Sequence, residues 1–387
     1  MKVIRTATVA LSLDLLLKGQ LAFLKQKHEV VAVSGADSHL ETVAKREGVR
    51  VIDLPMQRAI RPIHDLRSLV QLYFMLKRER PQLVHSITPK AGLLTMTAAW
   101  LAGVPIRIHT FTGLIFPYRK WVLFHVLRFM DQCICRFATH VIAEGQGVKA
   151  LLETHKITRK PINLLAYGNV NGIDSSYFDP EALSETQAEI RARYAISEEA
   201  VVYVFIGRLV SDKGIVELVE AFLELYTTQP QMHLLLVGPM ETELDPIPSS
   251  ILTTIANHPA IQAIGYQSDV RLFLKMSDAL VLPSYREGFP NVILQAGAMG
   301  LPCIVTDIPG CNEVIQPGKN GWVVPVKDRK ALSLALNEMA NNRVAWREKH
   351  LFIREQIITR FTHEIVWSAL DTFYEQCQKE IHVYPHS

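Results

Sequence analysis

The amino-acid sequence predicts an α/β protein built from two doubly wound units in tandem, each a mostly parallel sheet covered by helices. Three observations predict it. Short β-branched runs alternate with helical patterns along most of the chain, the signature of strand–helix–strand units. The alternation pauses at a polar stretch, Asn171-Gly172-Ile173-Asp174 through Asp179-Pro180, and then starts again. The length of 387 residues makes about two domains of ordinary size.

In the first unit, residues 1–170, strands are expected at Lys2–Ala7, Val30–Ser34, Val49–Leu54, Leu83–Ser86, Ile106–Phe111, His140–Ala143 and Ile162–Leu165. Helical patterns lie between them at Leu13–Lys27, Leu40–Glu47, Ile63–Arg78, Lys90–Ala102, Arg119–Phe137 and Gly147–Glu153. Gly48, Pro81, Gly103-Val104-Pro105 and Pro161 punctuate the joins. The second unit, residues 171–361, opens with a polar helix near Glu185–Tyr194. Strands follow at Val201–Ile206, His233–Val237, Ile261–Ile264, Ala279–Leu282, Cys303–Thr306 and Trp322–Pro325. Helices at Gly214–Tyr226, Val270–Met276, Pro290–Met299 and Arg329–Asn341 separate them. A last helix, Thr362–Lys379 within the segment 362–387, is expected to cross back onto the first unit.

Composition narrows the class. Hydrophobic residues make up 49% and charged residues 20%, which supplies cores and excludes disordered, collagen-like and disulfide-scaffold chains. No run reaches the roughly 18 apolar residues that span a bilayer. The apolar stretch Val9–Leu17 is interrupted by Asp14 and lacks a cleavage signal. Five scattered cysteines fit a reducing compartment, so a cytoplasmic location is expected. The net charge of +3 conceals an asymmetry: residues 1–170 carry +13 and the remainder −10. A basic half faces something anionic; by charge alone that is a nucleic acid, a membrane surface or a phosphorylated acceptor. No zinc-finger spacing or aromatic RNA-binding motif supports nucleic acid.

The chemistry is written in two segments of the second unit. In Phe205-Ile-Gly207-Arg208-Leu-Val-Ser211-Asp-Lys213-Gly214, a buried strand ends at Gly207 and Arg208 stands at its mouth. Ser211 is placed to cap the next helix and Lys213 falls in its first turn. Two cations at the carboxyl end of a strand suit a diphosphate, since Arg grips it bidentately and Lys adds a point charge. In Pro283-Ser-Tyr-Arg-Glu287-Gly288-Phe289-Pro290-Asn291-Val-Ile-Leu-Gln295, a strand runs into a loop and Pro290 takes the first helical position. Gly288 permits close backbone approach, and the N–H groups around Phe289 would meet an anion. A carboxylate at Glu287, beside such a site, fits if it faces neutral sugar hydroxyls. Neither unit has a convincing G-x-G-x-x-G after its first strand, which argues against a nicotinamide or flavin.

These segments resemble those of the retaining, nucleotide-sugar-dependent glycosyltransferases of family 4, and the likeness covers nearly the whole chain. Gly207-Arg208-x4-Lys213-Gly214 is similar to the family's diphosphate-binding segment, and Glu287-Gly288-Phe289-Pro290 to the first half of its E-x7-E signature. The resemblance implies the GT-B fold, two Rossmann-like domains facing a cleft. Residues 1–170 would bind the acceptor and residues 171–361 the donor. It implies that Glu287, Arg208 and Lys213 are catalytic, with Gly207, Tyr266, Gly288, Phe289, Pro290, Asn291 and Gln295 binding the donor. The family's second glutamate is Gln295 here, which costs charge assistance toward a ribose diol. Its usual His-Gly at the end of the fifth strand is Thr112-Gly113; the resemblance implies that these two would line the first domain's side of the cleft, with His109 a secondary candidate three residues upstream. Asp-x-Asp is absent and no Cys/His cluster has ligand spacing, so no metal or other cofactor is expected beyond the UDP-sugar substrate.

On the acceptor side, Pro117–Met130 mixes Arg119, Lys120 and Arg128 with Trp121, Phe124 and Phe129, a composition that fits a membrane interface or an ordinary domain helix. Arg58, Arg61, His64 and Lys90 are further candidates to border the acceptor. The basic half favours a lipid-diphosphate-linked sugar as acceptor and a peripheral place on an anionic membrane; the resemblance implies that the acceptor is an undecaprenyl-diphosphate-linked glycan, in bacterial surface-polysaccharide or capsule synthesis. A nucleotide-sugar epimerase on the same plan, or a non-catalytic partner subunit given Gln295 and Thr112, are the rival functions.

Overall fold

The computed structural model describes residues 1–57, 59, 61–241 and 245–383; Arg58 lies outside them. The chain forms two compact units: Met1–Gly172 with the segment from His363 onward, and Ile173–Thr362.

Among the described residues the first unit holds seven strands: β1 (Lys2–Val9), β2 (Glu29–Gly35), β3 (Arg50–Asp53), β4 (Leu83–Ser86), β5 (Ile106–Phe111), β6 (His140–Ala143) and β7 (Ile162–Leu164). They pair in parallel in the order β3-β2-β1-β4-β5-β6-β7. Their near-continuous apolar runs suit strands covered on both faces. β1 extends past Ala7 because the Thr8 N–H and hydroxyl both meet the Thr88 hydroxyl, at 2.9 and 2.8 Å. The helix expected over Leu13–Lys27 is two helices, Ala10–Leu16 and Gln20–Lys25. The break falls at Gly19, whose N–H donates to Glu47 Oε1.

The second unit holds β8 (Val201–Ile206), β9 (Met232–Val237), β10 (Ile261–Gly265), β11 (Ala279–Leu282), β12 (Cys303–Thr306) and β13 (Gly321–Val324). They pair in parallel in the order β10-β9-β8-β11-β12-β13. Among the described residues four helices absent from the sequence reading appear here: Ser249–Asn257, Cys311–Val314, Arg343–Glu348 and His350–Phe361. The fully buried Asp278 carboxylate ties this unit together. It accepts from Arg191, Arg343, Arg347 and the Val202 N–H, each between 2.8 and 3.0 Å.

The final helix, His363–Val383, packs on the first unit. Tyr374 accepts from the buried Arg5 at 2.7 Å, Asp371 pairs with Lys27 and His28, and the Trp367 indole donates to Asn171. Arg5 also meets His85 Nδ1 at 2.9 Å, and burial holds the His85 imidazole neutral by pushing its pKa far down. Among the described residues no helix is long and apolar enough to cross a membrane.

In both sheets the strand order reverses beside the first strand, between β1 and β4 and between β8 and β11. Ligands of doubly wound sheets bind at this switch point, outside the carboxyl ends of the strands. In the second unit the flanking loops are 207–214 and 283–290.

Candidate donor site

Loop 207–214 leaves β8 at Gly207 and turns through a short 3-10 segment, Ser211–Lys213, before the helix Ile215–Tyr226. The expected cap is therefore not made. Ser211 donates its hydroxyl to the Pro246 carbonyl at 2.7 Å, and Gly214, at φ 70°, starts the helix. Lys213 precedes the helix instead of lying in its first turn. Gly214 also lets the two switch-point loops touch, because a Cβ there would stand 2.1 Å from the Pro283 carbonyl oxygen.

Loop 283–290 leaves β11 and feeds the helix Asn291–Ala298, with Pro290 just before its first residue. Phe289 is buried and packs on Phe361, ring centroids 5.6 Å apart. From the other side Gly310, at φ 77°, lies against the loop; a Cβ there would meet the Gly288 carbonyl at 2.4 Å and Phe289 Cα at 2.8 Å. The segment Glu287–Pro290 is thus held on both sides and presents Glu287 and Gly288, both part-exposed, toward loop 207–214.

The two loops are joined by polar contacts. Lys213 Nζ donates to Glu287 Oε1 at 2.5 Å, and both side chains are largely buried. Arg286 donates to Asp212 Oδ2 at 2.8 Å, and the Tyr285 N–H to the Asp212 carbonyl at 2.8 Å. The Tyr285 hydroxyl donates to Glu217 Oε1 at 2.6 Å, with Lys327 Nζ over its ring at 4.5 Å. Burial and the Glu217 hydrogen bond push the Tyr285 phenol well above its ordinary range. Arg208 is half exposed and paired with Glu241. Beneath the Lys213–Glu287 pair sits the buried Cys311, whose thiol is pushed up first by burial and then by the Glu287 charge.

The structure therefore brings Gly207, Arg208, Lys213, Glu287, Gly288, Phe289, Pro290 and Asn291 to one switch point. Gln295 lies one turn further along the helix, part-exposed. Tyr266 follows β10 and is 71% exposed. Both cations, expected to await an anion, are already paired with carboxylates. The residues the sequence reading did not single out are Glu241, Asp212, Arg286, Tyr285, Glu217 and Gly310; the acidic neighbours of Lys213 were the available signal.

In the first unit Thr112 follows β5, donating its hydroxyl to the Ile87 carbonyl at 3.2 Å, and Gly113 is part-exposed beside it. His109 does not line the surface. It is 1% exposed, its Nδ1 is 2.7 Å from the Ser86 hydroxyl, and its ring meets Phe111 edge-on. Burial pushes its pKa down to about 3, so it stays neutral. Among the described residues no group of three His, Cys, Asp or Glu side chains is arranged to hold a metal ion.

Residues 186–357 match the family described as "Glycosyl transferases group 1", and residues 20–168 match the "Glycosyl transferase 4-like domain". The capsular polysaccharide biosynthesis glycosyltransferase CapM of Staphylococcus aureus is 30% identical over 380 residues, 98% of each chain. The UDP-Gal:alpha-D-GlcNAc-diphosphoundecaprenol alpha-1,3-galactosyltransferase of Escherichia coli is 28% identical over 305 residues, 77% of this chain and 76% of that one. Among solved structures, Anabaena Alr3699/HepE in complex with UDP superposes with a TM-score of 0.79 at 17% identity, covering 97% of this chain and all of that one. A glycosyltransferase from Rickettsia africae superposes with a TM-score of 0.80 at 21% identity, covering 98% and 99%. These likenesses show the fold to be the tandem Rossmann-like arrangement of the GT-B glycosyltransferases. The relatives are transferases, which favours group transfer over epimerisation. With two family matches spanning both units and a relative aligned end to end, the chain belongs to the group 1 glycosyl transferases.

Proposed function

We propose that this enzyme moves a hexose or N-acetylhexosamine from a UDP-sugar onto an undecaprenyl-diphosphate-linked glycan, with retention of configuration, during assembly of a bacterial surface polysaccharide. The observation that carries the donor half is the Lys213–Glu287 pair, 2.5 Å apart at the switch point beside a helix start. A part-buried ion pair of this kind gains little net energy, because attraction is offset by desolvation. Exchange of partners on donor binding therefore costs little. The diphosphate takes Lys213 and, from the rim, Arg208; the sugar hydroxyls take Glu287. Gln295 faces the ribose with two neutral hydrogen bonds.

As the sugar–phosphate bond breaks, charge grows on the leaving oxygen. Lys213, Arg208 and the positive end of the helix Asn291–Ala298 stabilise that charge more than the ground state. These groups supply the role a divalent ion plays elsewhere, so transfer proceeds without metal. The acceptor hydroxyl attacks from the face the diphosphate leaves, and the departing phosphate oxygen accepts its proton. The second unit then binds the donor and the first, with Thr112 and Gly113, the acceptor. The acceptor half is supported by the names of the relatives: the Escherichia coli enzyme acts on a diphosphoundecaprenol-linked sugar, and a Campylobacter jejuni relative, 25% identical over 81% of this chain, is an N-acetylgalactosaminyltransferase acting on a diphospho-undecaprenol-linked sugar. Such acceptors place the work at the cytoplasmic face of a membrane.

The test is transfer from a panel of UDP-sugars to a lipid-diphosphate-linked sugar by the wild type and by Glu287→Ala. The expected result is product with a retained anomeric configuration. Glu287→Ala should lower turnover by about 10²–10³-fold while UDP affinity by calorimetry changes only a few-fold. Near-normal turnover by a folded Glu287→Ala protein would refute the assignment.

A further inference from the structure

The two cations of the donor site are paired in different ways. Lys213 holds Glu287 and Arg208 holds Glu241. With the donor placed as proposed, sugar hydroxyls replace Lys213 for Glu287. The diphosphate that takes Arg208 brings Glu241 no hydrogen-bond donor in return. Nor can Glu241 withdraw with its backbone, because residues 237–241 run along the segment that carries Arg208. The Gly207 N–H donates to the Val237 carbonyl and the Leu209 N–H to the Pro239 carbonyl, both at 2.9 Å. The Glu241 N–H returns to the Leu209 carbonyl at 3.4 Å, and Leu209 and Met240 form a parallel bridge. At Gly238, φ 144°, the segments lie so close that a Cβ would stand 1.8 Å from the Gly207 carbonyl oxygen. The Glu241 carboxylate is therefore kept within reach of Arg208 whichever partner Arg208 has.

The surrounding segments give that carboxylate weight. Residues 207–217, 239–241, 245–247 and 283–291 hold three bases, Arg208, Lys213 and Arg286, against five acids, Asp212, Glu217, Glu241, Asp245 and Glu287, so an anion enters segments of net negative charge. Asp212 accepts from Arg286, Glu217 from the Tyr285 hydroxyl and Asp245 from the Asp212 N–H. Glu241 is the acid that faces the half-exposed cation at the rim. Transfer also changes the charge of the nucleotide. The diphosphate of a UDP-sugar carries two negative charges. When its bond to the sugar breaks and the acceptor oxygen bonds to that carbon, the acceptor proton passes to the phosphate and on to water. UDP is then left with close to three charges above neutral pH, since a terminal phosphate loses its second proton near a pKa of about 6. A fixed carboxylate repels the third charge as well as the first two, and so repels product more than donor.

We propose that Glu241 limits retention of the nucleoside-diphosphate product, by competing with the diphosphate for Arg208 and by repelling UDP more than the UDP-sugar. It acts through Arg208 and through its charge, not by touching the sugar or the acceptor, and so separates product from donor. The proposal deepens the donor-site assignment and rests on it. Because Arg208 is half exposed, water screens the pair, and the effect is several-fold in affinity and not many decades. If Glu241 instead propped Arg208 toward the ligand, its removal would weaken binding, the opposite sign.

The experiment is calorimetry of the full chain with two ligands: UDP, and UDP methyl-esterified on its terminal phosphate, which has the charge of a UDP-sugar and no sugar. At pH 8 and low salt, Glu241→Gln should tighten UDP by about fivefold and the ester by only about twofold. The difference between the two ligands should shrink in 0.5 M NaCl. Glu241→Asp, which keeps the charge, should stay within about twofold of the wild type for both ligands. Arg208→Ala should weaken both by about tenfold or more. With that Arg208 dependence in place, a Glu241→Gln protein that binds UDP more weakly, leaves both affinities unchanged or tightens both by the same factor overturns the inference alone. So does a Glu241→Asp protein that behaves as Glu241→Gln does. A UDP affinity that Arg208→Ala leaves unchanged removes the donor-site assignment and this inference with it.

Discussion

At the residue scale, the proposed donor site is a set of charges that neutralise one another. Lys213 holds Glu287, Arg208 holds Glu241, and Arg286 holds Asp212. Lys213, Glu287 and Arg208 were legible because each stands in a strand–loop–helix segment whose geometry follows from local sequence. Glu241 was not, since it reaches Arg208 across 33 positions and nothing local announces the meeting. His109 shows the reverse case. Its residue type invites a catalytic role, but β5 is a central strand and the ring is buried against Ser86 and Phe111. That burial has a measurable consequence. Its folded pKa of about 3 lies below the ordinary histidine value of 6.5, so the unfolded chain binds the extra proton between those two values. Stability should therefore be full above pH 6.5 and fall as the pH drops toward 3, by at most about 1.4 kcal/mol per pH step from this group. Thermal unfolding from pH 7 to pH 4 should show a shallower decline for His109→Gln than for the wild type. Identical slopes would mean that the imidazole is not held neutral by the fold.

At the scale of elements, strands were more legible than helices. Every strand read from the sequence is present, because parallel strands covered on both faces are written as short continuous apolar runs between glycines and prolines. The helix Ser249–Asn257 was missed because Ser-Ser-Ile-Leu-Thr-Thr-Ile-Ala-Asn has the composition of a loop; it is helical because Ile251 and Ile255, one turn apart, are buried. Gly19 interrupts the first helix at φ 80°, against which Trp367 packs; that partner lies at the far end of the sequence. The Arg343–Glu348 helix is placed partly by charge, since Arg343 and Arg347 both reach the buried Asp278. Replacing Asp278 with Ala would leave Arg191 buried without its counter-ion and free the Val202 N–H. The expected loss is about 3–5 kcal/mol, seen in denaturant unfolding as a lower midpoint. A loss below about 1 kcal/mol would show that the network acts as a surface pair does.

At the scale of the whole molecule, the chain makes two doubly wound units and returns its last helix to the first. Arg5, His85 and Tyr374 bind that helix to the centre of the first sheet. The charge divides as +13 before residue 171 and −10 from there on, and Arg61, Arg67, Arg119 and Lys120 are among the exposed basic residues of the first unit. We assign the donor chemistry to the second unit, where strand order reverses between β8 and β11. A crystal structure of the protein with UDP tests this most directly. The diphosphate should lie at the start of the helix Asn291–Ala298, within hydrogen-bond distance of Lys213 Nζ, with the Lys213–Glu287 contact opened and the Glu287 carboxylate turned to the space left for the sugar. A nucleotide found elsewhere, with Lys213 still closed on Glu287, would contradict the assignment.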